Sequence, residues 1–400
     1  MAVEIRPALE PEMGQFAENI RYAFASDLAI PVRPEWSLCA FVDGTLATTF
    51  AAWPLTVRWN GTALRVAGVT CVSTAPEHRR RGLLRAVMER SFREQRESGL
   101  SIAILWASMA AIYQRYGYGP VTRSIGYTLD PRRVALLDSS RPAGSTERIA
   151  SDEILAAVKP IYIAHVADRT LALHRASATW EAGPLHSAAG QPIHATLYRD
   201  AGGDPRGYVI YETHGPGKVP GAPSPPNQRL AVRDLAALDA EAHRALWQHL
   251  LCHDLVCQID TCALPADDPT PLLVQEPREL GRHTRDGVWM RVVDVERALG
   301  SRPLGASGEL VIQIRNDELC PWNDGSYHLE SGSSEVSVRR TGRGADLVLP
   351  PRTLAPLLSG THSASALLRA GLLDAKDPET LARADRMFAT THTPHCTDTF

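Results

Sequence analysis

Between Gly82 and Gly99 the apolar positions fall at helical spacing. Leu84, Val87, Met88 and Phe92 stand at offsets 0, 3, 4 and 8, one face of a helix that Gly99 closes. The next stretch, "LSIAILWAS", is a continuous apolar run bounded by turn signals and predicts a buried strand. Upstream, "VEIRPAL" reads as a strand and residues 11–26 as a helix. Extended segments follow, joined by Asp43-Gly44 and Asn60-Gly61, both strong hairpin signals. "LRVAGVTCVSTAP" is a further strand; a short helix around Ile112–Tyr116 and a strand near Ser124–Leu129 complete a first α/β unit.

The pattern breaks at 138–147 ("DSSRPAGSTE"), a candidate linker, and residues 150–280 resume the α/β style. There the helix "LDAEAHRALWQHLLCHD" runs into the strand "LVCQIDTCAL", and "GPGKVPGAPSPPNQ" is a Pro/Gly-rich loop. From about Gly287 the style changes again. "VWMRVVDVERALG" is strand then helix, and short strands follow, split by Gly, Asn and Asp. The amphipathic segment Thr353–Leu358 and "ASALLRAGLL" read as closing helices. No short-period repeat is present.

Length turns this into a domain count: 400 residues predict two or three domains. Hydrophobic content of 44% with 22% charged residues is that of a globular protein, and a net charge of −3 offers no bulk attraction to nucleic acid or an anionic membrane. No apolar stretch reaches the roughly 18 residues that cross a bilayer. The start "MAVEIRPALE" lacks the basic and apolar regions of a signal peptide, so the expectation is a cytoplasmic protein. Seven scattered cysteines fit reduced, mostly buried thiols better than a disulfide framework.

Candidate chemistry concentrates in "VTCVSTAPEHRRRGLLRAVME" (Val69–Glu89). A strand enters a turn of consecutive arginines and a glycine, and that turn opens an amphipathic helix. The first N–H groups of a helix are unpaired and carry the positive end of its dipole, a ready anion site. Gly82 allows close approach of a phosphate, and Arg79, Arg80 and Arg81 add charge-assisted donors. A solvated basic helix cap remains the other reading. The loop is neither a Walker A motif nor a dinucleotide fingerprint. His392, His395 and Cys396, and His249, Cys252, His253 and Cys257, lack the paired spacing of a zinc site, so no metal is expected. Cys71 reads as a buried strand cysteine rather than a nucleophile.

The Arg-x-x-Gly-x turn between strand and helix resembles the acetyl-coenzyme A pyrophosphate loop of the GNAT N-acetyltransferases, although Leu84 replaces a usually small residue. "APEHRRRGLLRAVM" followed by "IYQRYGYGP", then "LPADDP", "VWMRVVDVERAL", "CPWNDGSYHL" and an aromatic chain end, resembles the Eis (enhanced intracellular survival) family over essentially the whole chain.

The resemblance implies an α/β (α+β) chain of three regions. These are a GNAT domain at 1–140, a second GNAT-like domain without the phosphate loop at 141–285, and a sterol-carrier-protein-like domain at 286–400 whose C-terminus returns to the active site. It implies acetyl-coenzyme A as cosubstrate, primary amines such as aminoglycosides or lysine side chains as acceptors, and a homo-hexamer. Val72, Ser73 and Thr74 would pair with the pantetheine arm through their backbones. Arg80, Arg81, Gly82, Leu83, Leu84 and Arg85 would hold the pyrophosphate, and Ser108 and Met109 would flank the cofactor. Tyr113 would be the general acid, with Tyr116, Tyr118 and Tyr127 as core or edge aromatics. The terminal carboxylate of Phe400 would be the general base; an α-carboxyl is ordinarily a weak base, and burial by the phenylalanine ring would strengthen it. Asp27, Glu35, Trp36 and Trp180 are candidates to line the acceptor pocket. Ala110 and Ala111 stand where family members often carry glycines. The alternative is a non-catalytic protein that binds an apolar ligand in its sterol-carrier-like region.

Overall fold

The computed structural model describes residues 2–25, 31–187, 190–222, 224–261, 263–332 and 335–400. The first stretch runs β1 (Val3–Arg6), α1 (Met13–Phe24), β2 (Cys39–Val42), β3 (Thr45–Trp59), β4 (Thr62–Thr74), α2 (Leu83–Glu97), β5 (Ile102–Trp106), α3 (Ala110–Gln114) and β6 (Gly119–Pro120). The middle holds β7 (Arg123–Gly126), β8 (Thr128–Leu129), β9 (Ser145–Arg148), α4 (Ile154–His165), α5 (Ser177–Ala182), β10 (Ile193–Arg199), β11 (Pro205–His214), β12 (Gln228–Ala237), α6 (Ala240–Leu251), β13 (Val256–Thr261), β14 (Leu264–Pro265) and β15 (His283–Asp286). Then come β16 (Val288–Val292), α7 (Val295–Gly300), β17 (Gly308–Ile314), β18 (Gly325–Ser331), β19 (Val336–Arg340), β20 (Leu347–Leu349), α8 (Pro351–Ser359), α9 (Ala364–Arg369), β21 (Asp374–Ala375) and α10 (Pro378–Phe388). The chain is mixed α/β, as the patterning predicts. Among the described residues no helix is long and apolar enough to cross a membrane.

Contacts divide the chain into two units. One comprises Met1–Thr122, Gly287–Thr390 and Phe400; the other comprises Arg123–Asp286 and Thr391–Thr399.

The first unit contains a seven-stranded sheet in the order β1-β2-β3-β4-β5-β16-β6. Its two hairpins turn where the sequence predicts. Asp43, Gly44, Asn60 and Gly61 all have positive φ (48°, 82°, 46° and 91°), the left-handed pairs that a type I′ turn needs. The insertion of β16 could not be read from the chain. This strand lies far downstream, yet it pairs antiparallel with β5 from Val288↔Trp106 to Val292↔Ile102. A strand as uniformly apolar as β5 needs cover on both edges and faces, and β16 supplies the second edge. A five-stranded sheet, β19-β18-β17-β20-β21, forms the rest of this unit with α7 to α10. The pattern reading missed α10. Its start signals are present: Asp377 accepts from the Thr380 N–H, and Pro378 and Glu379 follow it.

In the second unit a six-stranded sheet, β8-β13-β12-β11-β10-β9, separates two apolar clusters. Alternate residues of β11 face opposite sides: Val209 and Tyr211 pack with α6, and Tyr208 and Ile210 with α4 and α5. The strand predicted at 124–129 is two short strands in different sheets. Tyr127 interrupts it, its N–H donating to Thr261 Oγ1 at 2.9 Å.

The last residues of this unit, Thr391–Thr399, form no helix or strand but are extensively bonded. His395 is buried; its N–H donates to the Thr170 carbonyl at 3.0 Å and its ring Nε2 to the Ala263 carbonyl at 3.2 Å. Burial, with Arg169 nearby, pushes its pKa down to about 4. The unfolded chain therefore takes up a proton below about pH 6.5 that the folded chain refuses until about pH 4. Stability falls across that window, by about 2 kcal/mol between pH 7 and pH 5 from this residue alone. Half-buried His249, also pushed down to about 4, adds a smaller contribution of the same sign. We expect His395→Gln to remove most of the His395 share, measured as the difference in denaturant midpoint between pH 7 and pH 5. An unchanged difference would show that the histidine titrates normally in the fold.

Candidate active site

The site is built in the first unit, where β4 leaves β5. The parallel ladder between them runs Ala67↔Ala103, Gly68↔Ile104 and Val69↔Leu105 and ends there, while β4 continues to Thr74. The divergence has a local cause. The register of β3 with β4 shifts between Thr49 and Ala51, and opposite that shift Cys71 adopts φ 54°, left-handed for a residue with a side chain. Thr49 Oγ1 donates to the Cys71 carbonyl at 2.8 Å and holds the bulge. The side chains of Ser73 and Thr74 are engaged with β3: Ser73 Oγ lies 2.7 Å from Thr49 Oγ1, and Thr74 Oγ1 lies 3.1 Å from Thr48 Oγ1. What these two residues can offer a ligand along β4 is backbone. Nothing in the sequence marks Cys71 as the bulge. Its thiol is buried and pushed up to about 11, the opposite of what a nucleophile needs.

Beyond β4 the chain turns into α2 through the basic loop. Arg80 has φ 62°, and Gly82, the N-cap, has φ 77° with no side-chain cap to satisfy the first N–H groups. A methyl group built at Gly82 would meet nothing within 4 Å, so this cradle opens to solvent. The arginines divide their work. Arg79 donates from Nε to the Thr74 carbonyl at 3.0 Å and ties the loop to β4. Arg85 pairs with Glu89 at 2.9 Å and Glu318 at 3.1 Å. Arg80 and Arg81 stand exposed at the helix start. Open left-handed turns, uncapped helix donors and arginines fit a diphosphate. Leu83 is buried and Leu84 half-buried against the core, so the large residue at 84 is accommodated by packing inward.

Ser108 and Met109 are exposed where β5 ends, and Met109 is the N-cap of α3. Helix α3 begins at Ala110, two residues before the predicted start, because Ala110 and Ala111 are strong helix formers. It carries Tyr113, which is 8% exposed and shares an apolar cluster with Val72, Leu84 and Ala110. The structure thus gathers the β4 bulge, the first turn of α2 and the candidate acid. The N–H groups of Tyr116 and Tyr118 donate back to the Tyr113 carbonyl at 2.9 and 3.2 Å, fixing the end of α3. Between them Gly117 is doubly required: its φ is 78°, and a Cβ there would sit 2.6 Å from Arg291 Nη1. Arg291, fully buried, is held by Asp317 at 2.5 Å.

The Tyr113 ring stands edge-on to Tyr118 with centroids 5.8 Å apart, and its hydroxyl has no hydrogen-bond partner among the described residues. Burial, with a smaller push from Tyr116, raises its pKa to about 12.

The chain end reaches the same strand. Phe400 belongs to this unit, and its ring carbon Cδ2 lies 3.2 Å from where a Cβ on Gly68 would stand, one residue before the β4–β5 ladder ends. Leu55 Cδ1 lies 2.3 Å from the same point. Gly68 is therefore a seat for two side chains, a requirement the sequence does not announce. Gly68→Val is expected to displace the Phe400 ring, lower turnover at least 10-fold and cost about 1–3 kcal/mol of stability through overpacking. Turnover and melting temperature measured together check this, and unchanged turnover in a destabilised variant would separate the ring from the chemistry.

The acceptor-side candidates are scattered. Glu35 is exposed and Trp36 half-buried in a short 3-10 turn, Pro34–Trp36, with Arg33 over the indole at 4.8 Å. Asp27 lies outside the described residues. Trp180 is corrected: it has no exposed surface and belongs to the core of the second unit, edge-on to Tyr162 at 5.3 Å, so it has no face to offer an acceptor. Among the described residues no three His, Cys, Asp or Glu side chains gather as a metal-ion site. His249 and His253 pack edge-on at 5.2 Å in an aromatic cluster with Tyr211.

Comparison with known proteins adds the family context. Residues 4–121 match an Acetyltransferase (GNAT) domain model, residues 171–292 a second Acetyltransferase (GNAT) domain model, and residues 295–397 a Sterol carrier protein domain model. An N-acetyltransferase of Streptomyces coelicolor is 32% identical over 370 residues, 90% of this chain and 86% of that one. The N-acetyltransferase Eis of Mycobacterium tuberculosis is 31% identical over 345 residues, 82% of this chain and 78% of that one. The crystal structure of Eis1 from Mycobacterium abscessus superposes with a TM-score of 0.85 at 30% identity, covering 100% of both chains. A GCN5-related N-acetyltransferase from Anabaena variabilis shares the fold at 21% identity and a TM-score of 0.86, again over 100% of both chains.

Proposed function

The chain belongs to the Eis family of GNAT N-acetyltransferases, and from that premise we propose that it acetylates primary amines, aminoglycoside-like or lysine-like, by direct attack within a ternary complex with acetyl-coenzyme A. In this reading Tyr113 is the general acid and the terminal carboxylate of Phe400 the general base. The observation that carries it is the seat of the Phe400 ring at Gly68, on the strand that opens beside β5, in the unit that also holds Tyr113.

Acetyl-coenzyme A supplies the acyl group already activated as a thioester. The basic loop and the uncapped start of α2 bind its diphosphate, with Arg80 and Arg81 as exposed cations beside it. The backbone of Val72–Thr74 pairs with the pantetheine arm, and an N–H from this strand polarises the acyl oxygen. Donors set in advance toward developing charge need no reorganisation during reaction and often give the largest single contribution to rate. Ser108 and Met109 bound the other side of the opening.

Proton handling falls to the two remaining groups. Tyr113, protonated up to about pH 12, presents its hydroxyl to the departing sulfur at every physiological pH. Against a thiol of ordinary pKa, about 8.5, full transfer from this phenol is uphill by roughly 5 kcal/mol. Tyr113 therefore stabilises the sulfur as a hydrogen-bond donor and completes the transfer as the amine loses its own proton. The Phe400 carboxylate orients the incoming ammonium and relays that proton as nitrogen attacks. A homo-hexamer is proposed on the family resemblance alone, and a monomeric or dimeric mass by light scattering would sink it.

The test is thiol release from acetyl-coenzyme A against a panel of aminoglycosides, lysine-bearing peptides and simple diamines. Turnover with primary amines and none with their N-acetyl derivatives supports the reading. Binding of acetyl-coenzyme A with no turnover on any amine favours the non-catalytic alternative.

A further inference from the structure

Strand β16 reads "VWMRV", and Arg291 is the one charged residue in it. Trp289 and Val293, two positions to either side, belong to the apolar cluster that also takes in Phe92, Tyr113 and Tyr118. The Arg291 guanidinium is fully buried, 5.4 Å from the centre of the Phe92 ring. It lies against Gly117, where a Cβ would stand 2.6 Å from Nη1, 3.0 Å from Cζ and 3.2 Å from Nε. The residues on either side of Gly117 close α3, since the Tyr116 and Tyr118 N–H groups both donate to the Tyr113 carbonyl. From there the chain pairs with β16 itself, Gly119 opposite Met290. Arg291 Nη2 donates to Asp317 Oδ1, and Asp317 is held by other groups as well. Its Oδ1 accepts from the Cys320 N–H and its Oδ2 from Asn323 Nδ2, both at 3.0 Å. Asn323 in turn is tied to the Val293 carbonyl and the Val295 N–H, each at 3.1 Å. All of these residues belong to the first unit.

A buried guanidinium and carboxylate are a poor way to gain stability, because desolvating the ions offsets their attraction. What the pair gives is a rigid plane at a fixed place: a guanidinium is flat, and a carboxylate that is itself held sets its orientation. Helix α3 has only five residues, too few to keep its own shape, so the direction of the Tyr113 side chain depends on what its ends rest upon. Its last turn rests on this plane. Gly117, with φ 78° and no side chain, brings the backbone against the guanidinium. A lysine of the same charge would leave a gap there. A shift of about 1 Å in a reacting group is enough to cost about 10²-fold in rate, so even a small settling of the turn matters.

We propose that Arg291 and Asp317 are positioning residues for Tyr113: the guanidinium, oriented by the carboxylate, carries the turn that sets where the tyrosine hydroxyl stands. The inference rests on the reading of Tyr113 as the general acid. Both residues are buried, 0% and 3% exposed, and act through Gly117 and the two N–H groups bonded to the Tyr113 carbonyl. Asp317 lies within the region matched as a sterol carrier protein domain, residues 295–397. That region thereby acquires a part in catalysis that needs no apolar ligand.

A double-mutant cycle on the full chain tests this: Arg291→Lys, Tyr113→Phe, and both, with kcat, both KM values and the melting temperature measured for each. Arg291→Lys keeps the charge for Asp317 and removes the plane. It is expected to lower kcat by about 10- to 100-fold and leave the KM for acetyl-coenzyme A within about 2-fold. In the Tyr113→Phe background it should change kcat by less than about 2-fold, because the hydroxyl it positions is gone. Asp317→Asn, close to isosteric and with an oxygen for Nη2, should lose less, and it carries the cycle if the lysine variant fails to fold. Independently of activity, amide hydrogen exchange at Tyr116 and Tyr118 should be at least about 10-fold faster in Arg291→Lys, while the amides of the β3–β4 ladder exchange as in the native chain.

Equal losses of kcat in both backgrounds, or unchanged exchange at Tyr116 and Tyr118, would overturn the positioning role while leaving Tyr113 as the acid. If Tyr113→Phe alone leaves kcat unchanged, the reading beneath fails as well, and the cycle reports that separately.

Discussion

Tyr113→Phe is expected to lower kcat by about 10²–10³-fold while the affinity for acetyl-coenzyme A stays within about 2-fold. The change removes one oxygen from a ring buried in the apolar cluster that Val72, Leu84 and Ala110 also pack against, and the ring itself stays. Because the hydroxyl has no partner among the described residues, its loss orphans no group there, and the melting temperature should hold within a degree or two. This separates chemistry from folding better than most active-site substitutions do. The pH profile gives a second reading. With its pKa near 12, Tyr113 contributes no alkaline fall in rate below about pH 10. A fall at pH 8–9 that persists in Tyr113→Phe belongs to another group; one that vanishes in the variant would place the tyrosine pKa far lower and undo the argument from burial. Equal turnover in the variant would remove Tyr113 from the mechanism.

Moving the terminal carboxylate should have an effect of similar size. Deleting Phe400 leaves a carboxylate on Thr399, one residue back and without the ring seated at Gly68. A misplacement of a few ångström at the reacting centre is enough for a 10²-fold loss. Appending two glycines keeps the ring but moves the charge, and is expected to lose nearly as much. The pair distinguishes the carboxylate from the aromatic side chain. Loss on deletion with full activity on extension would make Phe400 a packing residue only, whereas loss in both with an unchanged melting temperature supports the base. Full activity in both would leave the acetyltransferase in place and make the chain end structural.

Much of this site could be read locally. The periodicity of Leu84, Val87, Met88 and Phe92, the glycine that opens α2 and the glycine that closes it are short-range features, and they give the helix start, its exposed N–H groups and the surrounding arginines. Both type I′ turns are similarly local, since Asn-Gly and Asp-Gly relieve the strain of positive φ within two residues. Tyr113 was different. Its residue type occurs repeatedly nearby, and only the family resemblance distinguished it from Tyr116 and Tyr118. The structure buries its ring in the apolar cluster that also takes in Val72 of β4 and gives its hydroxyl no partner among the described residues. Trp180 shows the reverse error: a large aromatic suits a pocket wall and a core equally, and only burial decides between them.

By itself the sequence determined the α/β class, the turns, the boundaries of α2 and the run of arginines and glycine that opens it. All of these follow from backbone preferences and periodicity within a few residues. Tertiary structure alone decided that β16 completes the sheet begun by β1–β5, that Cys71 takes the left-handed bulge, that Gly68 seats the Phe400 ring and that Arg175 holds Asp398. The physical reason is common to all four. Each is a long-range pairing in which an edge, a ring, a charge or a bulged carbonyl meets a partner more than twenty residues away in the chain. No local pattern records which partner that will be.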